Sequence, residues 1–215
     1  NCAIDGFDYY GIHVLYGSDN RVLNNSLEDI NGNYYAIFLE QAQNTEVSGN
    51  NVTGYQGIYL CSSSDNNTVS NNNATGSWEG IVLFSSSNNT VTGNNAAKNV
   101  WDGIYLNCSS YNTVSGNNAT ANSYGIFLDS SSNNTVTGNT AANNYQGVCL
   151  NSSSSNTIFG NNITSYLGVW LDYSGDNSIR GNNITGRSTG IALVYSSNNL
   201  ICHNSFVNNI AQVID

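Results

Sequence analysis

Apolar residues along this chain come in short runs that alternate with polar ones at period 2, and the runs recur about every 22 residues. The most regular is a Gly-Ile/Val-x-Leu element at 57–60, 80–83, 103–106, 125–128, 147–150, 168–171 and 190–193. Gly11-Ile12, followed by Val14, opens the series, and residues 36–39 (Ala-Ile-Phe-Leu) fill the one slot without glycine. Each element is followed by a Ser/Asn-rich turn and then by Asn-Thr-Val/Ile-Ser/Thr-Gly-Asn-Asn, as at 89–95 and 112–118. A third, shorter apolar position completes the unit: Leu27, Val52, Ala74, Ala96, Ala119, Ala141, Ile163, Ile184 and Phe206. Period 2 is the spacing of a strand, which sends alternate side chains to opposite faces. Three short strands per repeat, divided by Gly and Asn corners that tolerate left-handed backbone, describe one turn of a three-walled coil. The pattern predicts a single all-β domain over 1–215, a right-handed parallel β-helix (β-solenoid) of about nine coils. The hand follows from the general handedness of parallel crossovers. One coil buries too little apolar surface to fold alone, so each needs its neighbours. Equivalent Asn side chains in successive coils would lie about 4.8 Å apart, close enough to hydrogen-bond along the axis.

The alternation also assigns the outer face. The residue between Ile and Leu points outward: His13, Phe38, Tyr59, Val82, Tyr105, Phe127, Cys149, Trp170 and Ala192. One or two residues before each glycine runs a second aromatic column: Tyr10, Tyr35, Tyr55, Trp78, Trp101, Tyr124, Tyr145 and Tyr166. The second wall shows small polar residues instead: Ser48, Ser70, Thr92, Ser115 and Thr137. A large apolar column on an outer wall reads as an interface with another copy or a stacking platform for sugar rings. The corner aromatics also have a local reading, folding over the corner to pack on their own coil.

Composition narrows the partners. Only 8% of the residues are charged and none is proline, so the polar surface is built from Asn (41 residues), Ser, Thr and Gly. Proline removes a ladder donor, and its absence suits a chain paired strand to strand throughout. The net charge is −10 with four basic residues, Arg21, Lys98, Arg180 and Arg187. That excludes a phosphate-binding surface, and hence nucleic acid as a partner. No apolar run approaches the length of a membrane span. Eleven Asn-x-Ser/Thr sites begin at Asn24, Asn51, Asn66, Asn73, Asn88, Asn107, Asn118, Asn133, Asn151, Asn162 and Asn183. They permit N-glycosylation of an exported chain, although Asn-rich sequence also creates such sites by chance.

The Gly-Ile-x-Leu and Asn-Thr-Val-Ser-Gly-Asn-Asn runs resemble the repeats of NosD-like and related carbohydrate-binding and sugar-hydrolase-type β-helix proteins. The resemblance covers essentially the whole chain. It implies the fold and an extracellular or cell-surface location, as in archaeal surface proteins, those of methanogens especially. Function does not follow from it, because the same repeats serve lyases, hydrolases, binding proteins and structural proteins. The paired-Asp, His-Gly and Arg-x-Lys motifs of polygalacturonases are absent.

Candidate chemistry is sparse. Glu79 and Asp102 precede the repeat glycine in adjacent coils, about 5 Å apart, a spacing that suits glycoside cleavage or a Ca²⁺ site. Their column neighbours Gln56, Tyr124, Gln146 and Leu167 do not extend the cluster, so the two read as solvated surface acids. Glu40, Asp129 and Asp172 share another column without being in adjacent coils. His13 and His203 lie at opposite ends of the array, and no cofactor-binding loop or metal motif is present. The expectation is therefore a structural, self-assembling extracellular protein, a sheath or surface-layer component without catalytic residues, cofactor or metal. A carbohydrate-binding module is the alternative, and a polysaccharide lyase or hydrolase the lesser one. Partners would be other copies, joined end to end because neither end shows a cap, and carbohydrate. Cys2, Cys61, Cys108, Cys149 and Cys202 never fall in adjacent coils, so bridges within the chain are too long to form. The odd count points to a bridge between chains through Cys2, Cys149 or Cys202.

Overall fold

The computed structural model describes residues 2–6, 8–28 and 34–215, and every regular element among them is a β-strand. All the strand pairs are parallel, and the strands stack into three walls. The first wall carries the Gly-Ile-x-Leu elements, for instance Gln56–Cys61, Glu79–Phe84, Asp102–Asn107, Tyr124–Asp129 and Gln146–Asn151. The second is a nine-stranded sheet from Arg21–Leu23 to Leu200–Cys202. The third is the least regular. It starts with Ala3–Asp5 and Ser26–Glu28 and thins to single bridges at Asn95 and Asn118. Toward the C-terminus it merges with the first wall in the long strands Asn162–Asp172 and Asn183–Val194. Register is strict: Ile58, Ile81, Ile104 and Ile126 pair in series, as do Val69, Val91, Val114 and Val136. The fold is thus the parallel β-helix expected from the repeat. Its core is a set of aliphatic stacks, Ile and Leu from the first wall, Val and Ile from the second, and Ala, Val or Ile from the third.

The corners explain the rest of the repeat. In the coil that starts at Glu79, four residues adopt left-handed backbone: Ser85 (φ 48°), Asn88 (φ 58°), Gly93 (φ 65°) and Lys98 (φ 59°). Each is followed by a buried polar residue: Ser86, Asn89, Asn94 and Asn99. The left-handed residue swings the chain so that the next side chain points into the coil. This is the physical meaning of the Ser-Ser, Asn-Asn and Gly-Asn pairs in the sequence.

A corner leaves backbone groups out of the strand ladders, and a buried unpaired group costs about as much as a lost hydrogen bond. The inward Asn and Ser side chains pair them. Asn117 Oδ1 accepts from the backbone N–H of Asn94 (2.8 Å) and from its Nδ2 (3.0 Å). Asn117 Nδ2 donates to the Val91 carbonyl (2.9 Å) and to Asn139 Oδ1 (3.0 Å). The same chain of contacts runs from Asn50 through Asn72, Asn94, Asn117, Asn139 and Asn161 to Asn182. A serine stack acts likewise: Ser131 Oγ accepts from the Ser109 N–H (2.9 Å) and lies within reach of two backbone carbonyls.

The repeat glycine of the first wall answers to close approach. A Cβ on Gly103 would stand 2.6 Å from the carbonyl oxygen of Gly125 and 2.7 Å from Asn122 Nδ2. The chain kinks there, which leaves Gln56, Glu79 and Asp102 facing outward although they stand two residues before an inward Ile.

Replacing Asn117 by Ala should cost about 3 kcal/mol or more, because it strands two Asn neighbours and a backbone N–H and carbonyl. Replacing the exposed Asn162 should cost under about 1 kcal/mol. Chemical denaturation of both variants compares them, and equal losses would remove the ladder from the account of stability.

Candidate functional site

The outer face of the first wall holds the groups with unusual surroundings. Its register aligns Tyr35, Gln56, Glu79, Asp102, Tyr124, Gln146 and Leu167 in one column, just before the kink. The corner aromatics therefore divide into two sets. Tyr35 and Tyr124 belong to this column, whereas Tyr55, Trp78, Trp101, Tyr145 and Tyr166 stand one residue earlier and form an exposed ridge. Ring centroids run from Tyr55 to Trp78 (6.0 Å), Trp101 (6.1 Å) and Tyr124 (6.4 Å), then inward to Phe127 (5.1 Å) and Tyr105 (5.1 Å). Tyr145 and Tyr166 stack farther along (5.5 Å). Spacings of this kind place neighbouring faces in favourable aromatic contact.

The column between Ile and Leu is not the open apolar patch the sequence suggested. Phe38, Val82 and Cys149 are buried, and Tyr59, Tyr105, Phe127 and Trp170 are half-buried. The cover comes from the corner column. Tyr35 lies 5.0 Å from both Phe38 and Tyr59, and Tyr124 lies 5.1 Å from Phe127. Local packing over the corner accounts for these two tyrosines, and the ridge carries the exposed aromatic surface.

Beneath the ridge lies the acid pair. Asp102 is only 5% exposed, and its Oδ1 has no hydrogen-bond partner. Burial, reinforced by the neighbouring Glu79, pushes its carboxyl up to about 8. Burial also raises Glu79, while a hydrogen bond from Gln56 Nε2 (2.5 Å) pulls it back. The reading of these two as solvated surface acids is therefore corrected: Asp102 is buried, with Glu79, Tyr105, Tyr124 and Cys149 as its neighbours. Tyr59 and Tyr105 flank the pair, and burial is the main cause that raises both phenols, Tyr105 to about 12. Two residues set aside in the sequence as not extending the cluster gain weight here. Gln56 and Gln146 share the column with the acids, and the Oε1 of each is buried and unpartnered. The available signal was a run of polar residues threaded between two aromatic columns.

This arrangement sets a carboxyl pushed up to about 8 by burial beside a second, also raised carboxyl that accepts a hydrogen bond from Gln56, and such paired acids in unlike surroundings are candidates for acid–base chemistry. The column after the strand Leu is different in kind. Asp129 accepts from Asn107 Nδ2 (3.2 Å) and Asn151 Nδ2 (3.0 Å), a satisfied surface network. Two shallow cavities, of about 390 and 420 Å³, lie away from the acids. Arg187 and Tyr166 line one, and Lys98 and Asn95 the other.

The remaining candidates are dispersed. None of the five cysteines is bonded within the chain. Cys149 is 5% exposed, in register between Phe127 and Trp170, so burial removes it from those able to bridge chains. Cys2 is exposed and Cys202 half-buried. His13 lies 3.2 Å from Glu40, and His203 is in the last coil. The Asn of all eleven glycosylation sites is exposed or half-buried.

Similarity to known proteins bears on this geometry. A double mutant of the periplasmic alginate epimerase AlgG superposes with a TM-score of 0.76 at 16% identity, covering 87% of this chain and 50% of that one. The Dettilon tailspike protein gives 0.79 at 17% identity, covering 98% and 50%. The A-module of the Azotobacter vinelandii mannuronan C-5 epimerase AlgE4 gives 0.64 at 16% identity, covering 100% and 76%. The chain thus spans about half the length of the first two. No curated protein sequence matches it. The expectations of a self-assembling sheath component, and of a chain that is not an enzyme, are corrected by these neighbours, since proteins named as polysaccharide epimerases share its fold. In sequence, a family model described as "Periplasmic copper-binding protein (NosD)" matches residues 4–146 and 95–215, nearly the whole chain, and the protein belongs to this NosD family.

Proposed function

We propose that this protein acts on a polysaccharide laid along the outer face of the first wall. The single observation that carries the reading is the buried, unpartnered Asp102 carboxyl beside Glu79, each acid following directly in the chain on a tryptophan of the exposed ladder Tyr55, Trp78 and Trp101. Sugar rings stack on the ridge, which runs parallel to the helix axis and so tracks a chain rather than a single sugar. Asp102, neutral at pH 7, supplies a proton to the reacting oxygen or carbon, and Glu79 receives one. Gln56, donating to Glu79, holds that carboxylate in place. The epimerase neighbours support a polysaccharide substrate by analogy of fold. The family description and the periplasmic epimerase support an extracytoplasmic location. The cell surface is the finer location we favour, because a polymeric substrate is found there.

Copper, named in the family description, does not fit this chain. Copper sites draw on His, Cys and Met. The chain has no Met and two His, and among the described residues no three His, Cys, Asp or Glu side chains gather to hold an ion. No step is routed through it.

Titration of the protein with soluble polysaccharides, followed by tryptophan fluorescence, should detect binding, and Trp78→Ala or Trp101→Ala should each weaken it about tenfold, equivalent to ~1.4 kcal/mol. Asp102→Asn should bind normally yet form no product. A variant as active as the parent would sink the acid assignment, and absence of binding to any glycan would sink the whole reading.

Asp102 also makes stability depend on pH. Its folded value of about 8 exceeds the ordinary 3.8. Below both values the folded and unfolded chains carry the same proton. As pH rises from about 4 to about 8 the unfolded chain releases it first, so the folded state loses stability across that window. Asp102→Asn lacks this loss. Its melting temperature should therefore gain on the parent's between pH 4 and 8 and level off above. A difference that does not change with pH would show that Asp102 ionises normally.

A further inference from the structure

We infer that the glycan is neutral: the site takes a chain of hydroxylated sugars without carboxylate or sulfate groups. This rests on the polysaccharide reading above and names its substrate class. Two observations carry it.

The first is the character of the unsatisfied groups. Gln56 Oε1 and Gln146 Oε1 lie in the one column with the acids as buried acceptors without a partner, and Asp102 Oδ1 in the same column is also buried and unpartnered. Glu79, between Gln56 and Asp102, adds carboxylate oxygens. What completes such a column is a series of donors. Sugar hydroxyls donate, whereas a uronate carboxylate only accepts. Rotation of the Gln and Asp side chains toward a glycan lying on the ridge exchanges unpaired buried oxygens for paired ones.

The second is the distribution of charge. The protein carries a net −10, and Glu40, Asp129 and Asp172 stand on the same wall as the acid pair. None of the four Lys and Arg side chains is engaged there. Arg21 pairs with Glu46 on the second wall (2.9 Å), and Arg180 lies over Phe159, 4.8 Å from the ring centre. Lys98 and Arg187 line the two shallow cavities away from the column. No cation is among the causes that set the Glu79 and Asp102 carboxyls, which respond to burial, to each other and to Gln56. Each sugar of a polyuronate brings a negative charge into this field, and beside the acid column no cation compensates it; Arg187 stands only at the far end of the ridge, by Tyr166. Calcium offers no escape, because the cation takes six to eight oxygens and one carboxyl of the pair is neutral. The inference thus parts from the alginate-acting neighbours in substrate while keeping their fold.

Calorimetric titration of the full chain with a β-glucan, a xylan and a galactomannan, against alginate and polygalacturonate, decides the matter at low and high salt, with calcium or with chelator. We expect at least one neutral glycan to bind with an affinity that salt leaves unchanged, and the polyuronates to bind at least about tenfold more weakly at low salt. Gln146→Leu, which places there the residue that Leu167 already supplies one coil on, should weaken the neutral glycan about tenfold without lowering the melting temperature. A polyuronate bound more tightly than every neutral glycan, with or without calcium, overturns the substrate class and leaves the polysaccharide reading standing. Unchanged binding by Gln146→Leu also overturns the inference. Failure of all five polymers to bind overturns both.

Discussion

The structure depends on one requirement: backbone polar groups at the corners of a coil must find partners inside the molecule. Strand ladders pair the walls, but the left-handed bends, four in the coil that starts at Glu79, interrupt them, and buried unpaired groups are costly. The Asn and Ser stacks answer this by placing one amide or hydroxyl at each bend, bonded to the coils above and below. Asn suits the position because its side chain carries both an acceptor and donors. One residue type can therefore repeat indefinitely, each copy accepting from one neighbour and donating to the other. The left-handed residue before it is the geometric condition, and Gly, Asn and Ser fill that slot.

This requirement also creates the outer face. Strict axial bonding forces strict register, and strict register sets equivalent outward residues about 4.8 Å apart in straight columns. Whatever a column carries is then presented as a line. On the second wall the line is mostly Ser and Thr. On the first it becomes an aromatic ridge, with a polar column lodged behind it. Gln56, Glu79, Asp102 and Gln146 stand just before the repeat glycine, and Tyr59, Tyr105 and Tyr124 lie beside the two acids. Burial then does to Asp102 what an isolated sequence position cannot, keeping the carboxyl protonated where a solvated one would ionise.

Reading the sequence as a surface of solvated acids and an open apolar wall led toward a self-associating structural protein. The residues were correctly placed in their columns, but the columns were treated as independent. Tyr35 and Tyr124 lean across to Phe38, Tyr59 and Phe127, so the wall seals itself and its apolar area does not call for another copy of the chain. The same covering changes Asp102 from a surface charge into a buried acid. Gln56 and Gln146 were passed over because, as neutral residues, they add nothing to a charge count, and only their position makes their oxygens notable.

The sequence by itself determined the solenoid, its three walls, the inward aliphatic stacks and the axial columns of Asn. These follow from local repetition: period-2 alternation assigns the faces, and the residue pairs at each corner assign the bends. Tertiary structure alone decided which outward residues are dry. Solvent exposure of Asp102 depends on how large side chains from neighbouring columns and coils lean over it. That lean is set by ring packing across coils, which no single repeat encodes, and it is what separates a column of surface acids from a chemical site.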